Sequence, residues 1–206
     1  MSLLERLRPS RQSKPVRMVV GLRNPGRDYA GTRHNVGFEV LQRFLDRHGV
    51  TFGRAPLQLQ VQMARIGVGD EALAAAAPLS FMNQSGGPVK GALDYFKIEP
   101  TSMLVIHDDI DLDFGRLRLQ EGGGPGGHNG VRSVEKALGT NDFHRLKVGV
   151  GRPPDFTDPA EYVLRPFPKA ELEEVEFILE DACDVVDLWR TDFARAQERA
   201  ALRRVG

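Results

Sequence analysis

The chain has 206 residues, 41% hydrophobic and 27% charged, a balance that excludes a disordered chain and points to one soluble globular domain. Its 28 Lys and Arg offset its 28 Asp and Glu, so nucleic-acid binding through bulk positive charge is excluded and any phosphate contact rests on locally placed cations. The one cysteine, Cys183, excludes an intramolecular disulfide framework and fits a reducing compartment, and no apolar run approaches the roughly 18 residues that cross a bilayer.

Residues 1–15, basic and carrying Ser and Pro, read as a flexible N-terminal extension, with a short transit peptide as the alternative. A buried first strand is expected from Val16 to Leu22, stopped by the turn Asn24-Pro25-Gly26. Val36, Val40, Leu41, Phe44 and Leu45 then recur at helical spacing, with Gly49 as the stop. Leu57, Leu59, Val61 and Met63 alternate with glutamines, which predicts a strand with one wet face. Glu71 to Ala77 stays open between helix and strand. A helix is expected from near Asn83 to Phe96, and a buried strand over Met103–Ile106 that runs into His107-Asp108-Asp109. A half-exposed strand follows at Leu117 and Leu119, then a helix over Val131–Leu138 and a strand over Leu146–Val150. The periodicity from Ala170 to about Ala201 predicts one amphipathic helix with an acidic outer face. Cys183 within it reads as a small inert helix residue. The interleaving predicts an α/β single-domain sandwich over residues 16–206, with a mixed, mostly parallel twisted sheet flanked by helices.

Polar residues collect at the strand exits, where ligands gather in such folds. His34 reads either as an exposed loop histidine beside an Asn35 helix cap or as a general base oriented by a carboxylate. Asp108 borders a buried run and is the carboxylate expected to be held inward. The neighbouring Asp111 and Asp113 lack the spacing of a calcium-binding loop. The stretch Gly122–Gly130 matches neither a dinucleotide fingerprint nor a phosphate-binding P-loop. It reads as a linker or as a loop whose backbone approaches a ligand.

Five segments together resemble the bacterial-type peptidyl-tRNA hydrolase family. They are Val19–Gly26 with Tyr29 and Thr32–Gly37, then Phe81–Gly86, His107–Asp111, Gly122–Gly130 and Asn141–Arg152, in the family's order over about residues 16–168. The resemblance implies hydrolysis of the ester between an N-blocked peptide and the terminal adenosine of tRNA, recycling tRNA that leaves the ribosome prematurely. It implies no metal or cofactor, and action as a cytoplasmic monomer. His34 becomes the base that activates water, Asp108 the group that holds its ring, and Asn24 a neighbour that helps favour blocked substrates. Tyr29, Phe81, Asn83 and Asn129 are expected to line the groove for the peptide and the tRNA end. Arg118, Arg132 and Lys147 are the cations expected near tRNA phosphates. Gln120 and Glu121 depart from a strand that is more basic in many members, and Pro125 interrupts the glycine loop. Two other functions compete: a non-catalytic RNA-docking relative, which would be expected to have lost His34, Asp108 or Asn24, and a metal-dependent hydrolase built on His107 and the aspartates.

Overall fold

The computed structural model describes residues 15–203 apart from 54, 69–71 and 155. All but the last residue of the expected N-terminal extension therefore lies outside the described residues. Six strands form one sheet: β1 (Arg17–Gly21), β2 (Val61–Ile66), β3 (Leu73–Pro78), β4 (Met103–Asp109), β5 (Leu117–Glu121) and β6 (His144–Gly149), in the order β2-β3-β1-β4-β6-β5. The inner pairs β3–β1, β1–β4 and β4–β6 are parallel, whereas each edge strand, β2 and β5, runs antiparallel to its neighbour. The expected mixed sheet is thus observed.

Side chains alternate between two cores. Val19, Leu104 and Ile106 join α1 (Val36–Arg47), α5 (Leu172–Trp189) and α6 (Phe193–Leu202) on one face. Met18, Val20, Met103 and Val105 join α2 (Gly86–Phe96) and α3 (Asn129–Leu138) on the other. Strands buried on both faces need apolar residues at every position, which is why β1 and β4 read as continuous runs. The ambiguous alanines are settled by the same logic. Ala74–Ala77 are fully buried in β3, between α1 and α2 sides of the sheet, where short side chains suit a strand covered twice.

Two sequence expectations are corrected. The alternating leucines are not one strand: Leu57–Leu59 form a 3₁₀ turn with Leu57 94% exposed, Gln60 is left-handed, and the strand starts only at Val61. Pro56 before the turn and the φ of +49° at Gln60 break an extended run that the polar-apolar alternation mimics. The single C-terminal helix is two, divided at Thr191 and Asp192, where the Asp192 carboxylate accepts from the Arg195 N–H at 3.0 Å and starts α6. The acids of α5 are not a merely solvated face. Glu180 and Asp184 meet Arg47 of α1, the Asp184 contact at 2.7 Å, and Arg43 of α1 bonds Glu176 and Glu180. Charge periodicity predicted the acids, and only the packing of α1 on α5 supplies their partners. Cys183 is buried on α5, and burial pushes its thiol up to about 12, so it stays a neutral, inert side chain.

Close packing at glycine brings the site elements together. A Cβ at Gly37, in the first turn of α1, would fall on the carbonyl of Ile106 in β4. Only glycine lets α1 begin against the end of β4, and this approach sets the 3₁₀ turn Arg33–Asn35 beside Asp108.

Candidate active site

The residues that meet at the carboxyl end of the parallel strands come from four segments. Asn24 follows β1, His34 lies in the turn before α1, Asp108 is near the end of β4, and His128 caps α3. Asn24, His34, Asp108 and His128 are all at least nine-tenths buried. They open onto a cleft of about 700 Å³ that Tyr29, Phe81, Asn83 and Asn129 also line. The seven residues expected for catalysis and substrate binding are therefore brought to one cavity. Tyr29 and Phe81 meet edge to face with ring centres 6.3 Å apart, and Asn83 and Asn129 are exposed at the cleft. Val163 and Leu164 also line the cleft, at the end of the short helix α4 (Pro159–Val163) that the sequence reading did not anticipate. Asp158 caps it, accepting from the Ala160 N–H at 2.9 Å.

The hydrogen bonds fix the tautomer of each neutral ring. His34 Nδ1 lies 2.8 Å from Asp108 Oδ1, and His128 Nε2 lies 2.9 Å from the same oxygen. His128 Nδ1 is 3.1 and 3.2 Å from the N–H groups of Gly130 and Val131, so it must be an acceptor. Its proton is then on Nε2, donated to Asp108. A carboxylate oxygen that already accepts from His128 accepts from His34 Nδ1–H as well, so the neutral His34 ring carries its lone pair on Nε2, and that ring lines the cleft. Burial works to raise the Asp108 pKa, but attraction to His128 and then His34 in their protonated forms, with the hydrogen bonds both rings donate, outweighs it and holds the carboxyl far below its usual range.

Asn24 is held as firmly. Its side-chain oxygen accepts from the Met82 N–H at 2.9 Å, which commits that oxygen and leaves the amide's Nδ2 donor for the cleft. Asn35, expected as a helix cap, makes no side-chain cap and instead bonds the backbone of Asn24. His128 and Asn35 are the site residues that the sequence reading missed. A histidine between a glycine run and a helix start was the available signal for His128. Nothing local marks Asn35, since its partner is eleven residues away.

His34, Asp108 and His128 offer three ligand atoms within 4.8 Å of one another, the sole such group among the described residues. The donor set does not suit a cation. Binding through His128 Nε2 would require moving its proton to Nδ1, against two N–H donors. The aspartates invoked for a metal are engaged elsewhere, Asp109 with Lys147 at 2.8 Å and Asp111 with Arg152 at 2.6 Å.

The three expected tRNA cations lie outside the cleft lining. Arg118 is exposed on β5, directly across from Lys147 on β6. Lys147 is half-buried and its ammonium is engaged by Asp109, while exposed Arg132 bonds Asn129 at 3.1 Å.

The chain is similar to known proteins over most of its length. The family model described as Peptidyl-tRNA hydrolase matches residues 18–205. A peptidyl-tRNA hydrolase of Pseudarthrobacter chlorophenolicus is 46% identical over 171 residues, covering 83% of this chain and 87% of that protein. One from Frankia alni is 47% identical over 175 residues, covering 85% and 88%. The crystal structure of peptidyl-tRNA hydrolase from Acinetobacter baumannii superposes with a TM-score of 0.85 at 30% identity, over 95% of this chain and 99% of that one. A match that spans nearly the whole described fold, with the sheet order and the cleft inside it, means that the chain belongs to the peptidyl-tRNA hydrolase family.

Proposed function

We propose that the chain hydrolyses the ester between an N-blocked peptide and the terminal adenosine of tRNA, freeing tRNAs that left the ribosome prematurely. One observation carries this reading: His34 Nδ1 bonds a buried carboxylate, which makes Nε2 the lone-pair nitrogen of the neutral ring, on a cleft that is also lined by an oriented asparagine. His34 Nε2 takes a proton from water as the water oxygen attacks the ester carbonyl carbon. Asp108 stabilises the imidazolium that forms. Asn24 Nδ2 donates toward the carbonyl oxygen that becomes negative, where a fixed dipole stabilises developing charge. The intermediate then expels the ribose oxygen, which receives the proton from His34, so that acid and free tRNA leave with no net proton change on the enzyme.

Tyr29, Phe81, Asn83 and Asn129 bind the peptide and the acceptor end. Neutral amides suit a blocked peptide and match a charged α-amino group poorly, which supports a preference for blocked substrates. That one chain supplies every residue of this reaction supports action as a monomer. The His128 tautomer supports a reaction that uses no metal at these residues, each step above needs no cofactor, and a tRNA substrate supports action in the cytoplasm. No described helix is long and apolar enough to cross a membrane. The test is release of N-acetylated amino acid from charged tRNA, with His34→Ala alongside and with chelator added. Turnover in wild type that survives chelator and is lost in His34→Ala supports the reading. Turnover retained by His34→Ala, or abolished by chelator, overturns it.

A further inference from the structure

We propose that Arg145 is a positioning residue for this reaction, fastening the glycine loop from beneath so that His128 and Asn129 stand at the cleft; the inference rests on the hydrolase reading above. Leu117, Leu119, Leu146 and Val148 point into the α5–α6 core. The alternate residues Arg118, Gln120, Arg145 and Lys147 therefore face the α3 side, below the loop. There Arg145 is completely buried. Its Nη1 donates to the Gly124 carbonyl at 2.8 Å, and its Nη2 donates to the Gly122 carbonyl.

The loop needs such an anchor. Gly122, Gly123, Gly126 and Gly127 all have positive φ, and a chain of glycines in such conformations gives up more entropy on ordering than any other sequence. Gln120 Nε2 adds a bond to the Gly122 carbonyl at 2.8 Å, so this polar side chain on β5 turns toward the loop. The fit is close: a Cβ at Gly123 would lie 2.7 Å from Arg145 Nη2 and 2.8 Å from Gln120 Nε2. From the anchored carbonyls the chain continues to Pro125, whose carbonyl accepts from the His128 N–H at 3.0 Å, and so to the ring that donates to Asp108.

The alternatives fit less well. A fully enclosed guanidinium cannot meet a phosphate of an incoming tRNA. Its nearest carboxylate, Glu135 on α3, is 3.9 Å away, and its Nε has no partner. A buried cation so incompletely paired is a poor way to gain stability alone, since an apolar side chain of similar volume does as well or better. What an apolar residue cannot do is bind two loop carbonyls at once.

The experiment compares wild type with Arg145→Met and Arg145→Lys in three measurements: hydrogen exchange of residues 122–128, kcat and KM on N-acetylated aminoacyl-tRNA at several salt concentrations, and thermal melting. In Arg145→Met, exchange in the loop rises while α1 and β4 stay protected. There kcat falls roughly 10- to 100-fold, as expected of sub-ångström to ångström misplacement, while KM and its salt dependence stay as in wild type. Arg145→Lys, which keeps a donor for one carbonyl, recovers part of both. Should Arg145→Met fail to fold, Gln120→Ala, which removes the second donor to Gly122, shows the same pattern in milder form. A lower melting temperature with wild-type kcat and loop exchange makes Arg145 an ordinary core residue and overturns the proposal. A raised KM with a shallower salt dependence makes it a phosphate contact and overturns it equally. Loop exchange is read without substrate, so a wild-type chain inactive on peptidyl-tRNA sinks the hydrolase reading and leaves the anchor to be judged by exchange.

Discussion

The side-chain amide of Asn35 brackets the peptide of Asn24, accepting from its N–H at 2.8 Å and donating to its carbonyl at 3.0 Å. Both residues are buried, so neither bond is exchanged for water without cost. The Asn24 side chain is thereby aimed from both ends, by Asn35 at its backbone and by the Met82 N–H at its oxygen. Asn35→Asp keeps the acceptor but sets a carboxylate oxygen against the Asn24 carbonyl. It is expected to cost about 1–3 kcal/mol of stability, and to lower kcat/KM for blocked substrate more than for free aminoacyl-tRNA. Equal losses on the two substrates, measured side by side, would show that the bracket serves stability only.

Asp108→Asn tests the tautomer argument. An amide oxygen still accepts from one ring, but it carries no charge to balance an imidazolium. Activity should fall less than in His34→Ala, for which a loss of roughly 10²- to 10⁴-fold in kcat is typical of a missing general base, with little change in tRNA affinity. The pH–rate profile of Asp108→Asn should differ from that of wild type, because the charge buried beside the reacting ring is gone. A profile superposable on that of wild type would remove Asp108 from the mechanism.

Arg118 and Lys147 stand opposite one another across β5 and β6, yet they should behave differently toward salt. Arg118 is exposed, so Arg118→Gln should raise KM and flatten its dependence on salt by about one counterion. The ammonium of Lys147 already meets Asp109 at 2.8 Å, with both side chains about 14% and 13% exposed. Lys147→Met should act first on stability by stranding Asp109, with a smaller change in salt slope. The pair of KM-against-salt curves decides, and a larger slope change for Lys147→Met would reverse the assignment.

Acid stability should carry the signature of His107. Burial, followed by the neighbouring His128, lowers its pKa to about 3, and the ring stays neutral with Nδ1–H on the Asp108 carbonyl at 2.7 Å. In the unfolded chain a histidine takes up a proton near pH 6.5, which the folded protein refuses until near pH 3. His107 therefore costs nothing above pH 6.5 and progressively destabilises the fold as pH falls from there toward 3. Asp108, depressed instead, contributes stability above the ordinary carboxyl range and loses it only in stronger acid. His107→Gln should flatten the fall in unfolding free energy between about pH 6 and 4.5, by up to ~1.4 kcal/mol per pH unit. Urea titrations at several pH values measure it, and parallel curves for the two proteins would refute a buried neutral His107.

The covering of β1 and β4 on both faces and the helical face of α1 were legible from apolar spacing, because burial imposes the same period wherever it occurs. His34, Asp108, Asn24 and Asn129 were legible as polar residues at strand exits and loop ends, sharpened by family motifs. Sequence period alone failed at Leu57–Leu59, where one left-handed residue cancels an alternation, and at Asp192, where a side-chain cap divides one periodic run into two helices. Tertiary structure alone decided the tautomer of His34, whose Nδ1 faces a carboxylate 74 residues away, whereas that of His128 is set by the Gly130 and Val131 N–H groups of the helix it caps. It alone also decided that Lys147 is paired and Arg145 enclosed, since two cations two positions apart on one strand are indistinguishable until the loop and β4 are laid against them. Local sequence dictates which face of an element is buried; which charge meets which partner is set by contacts between segments far apart in the chain, and those exist only once the chain has folded.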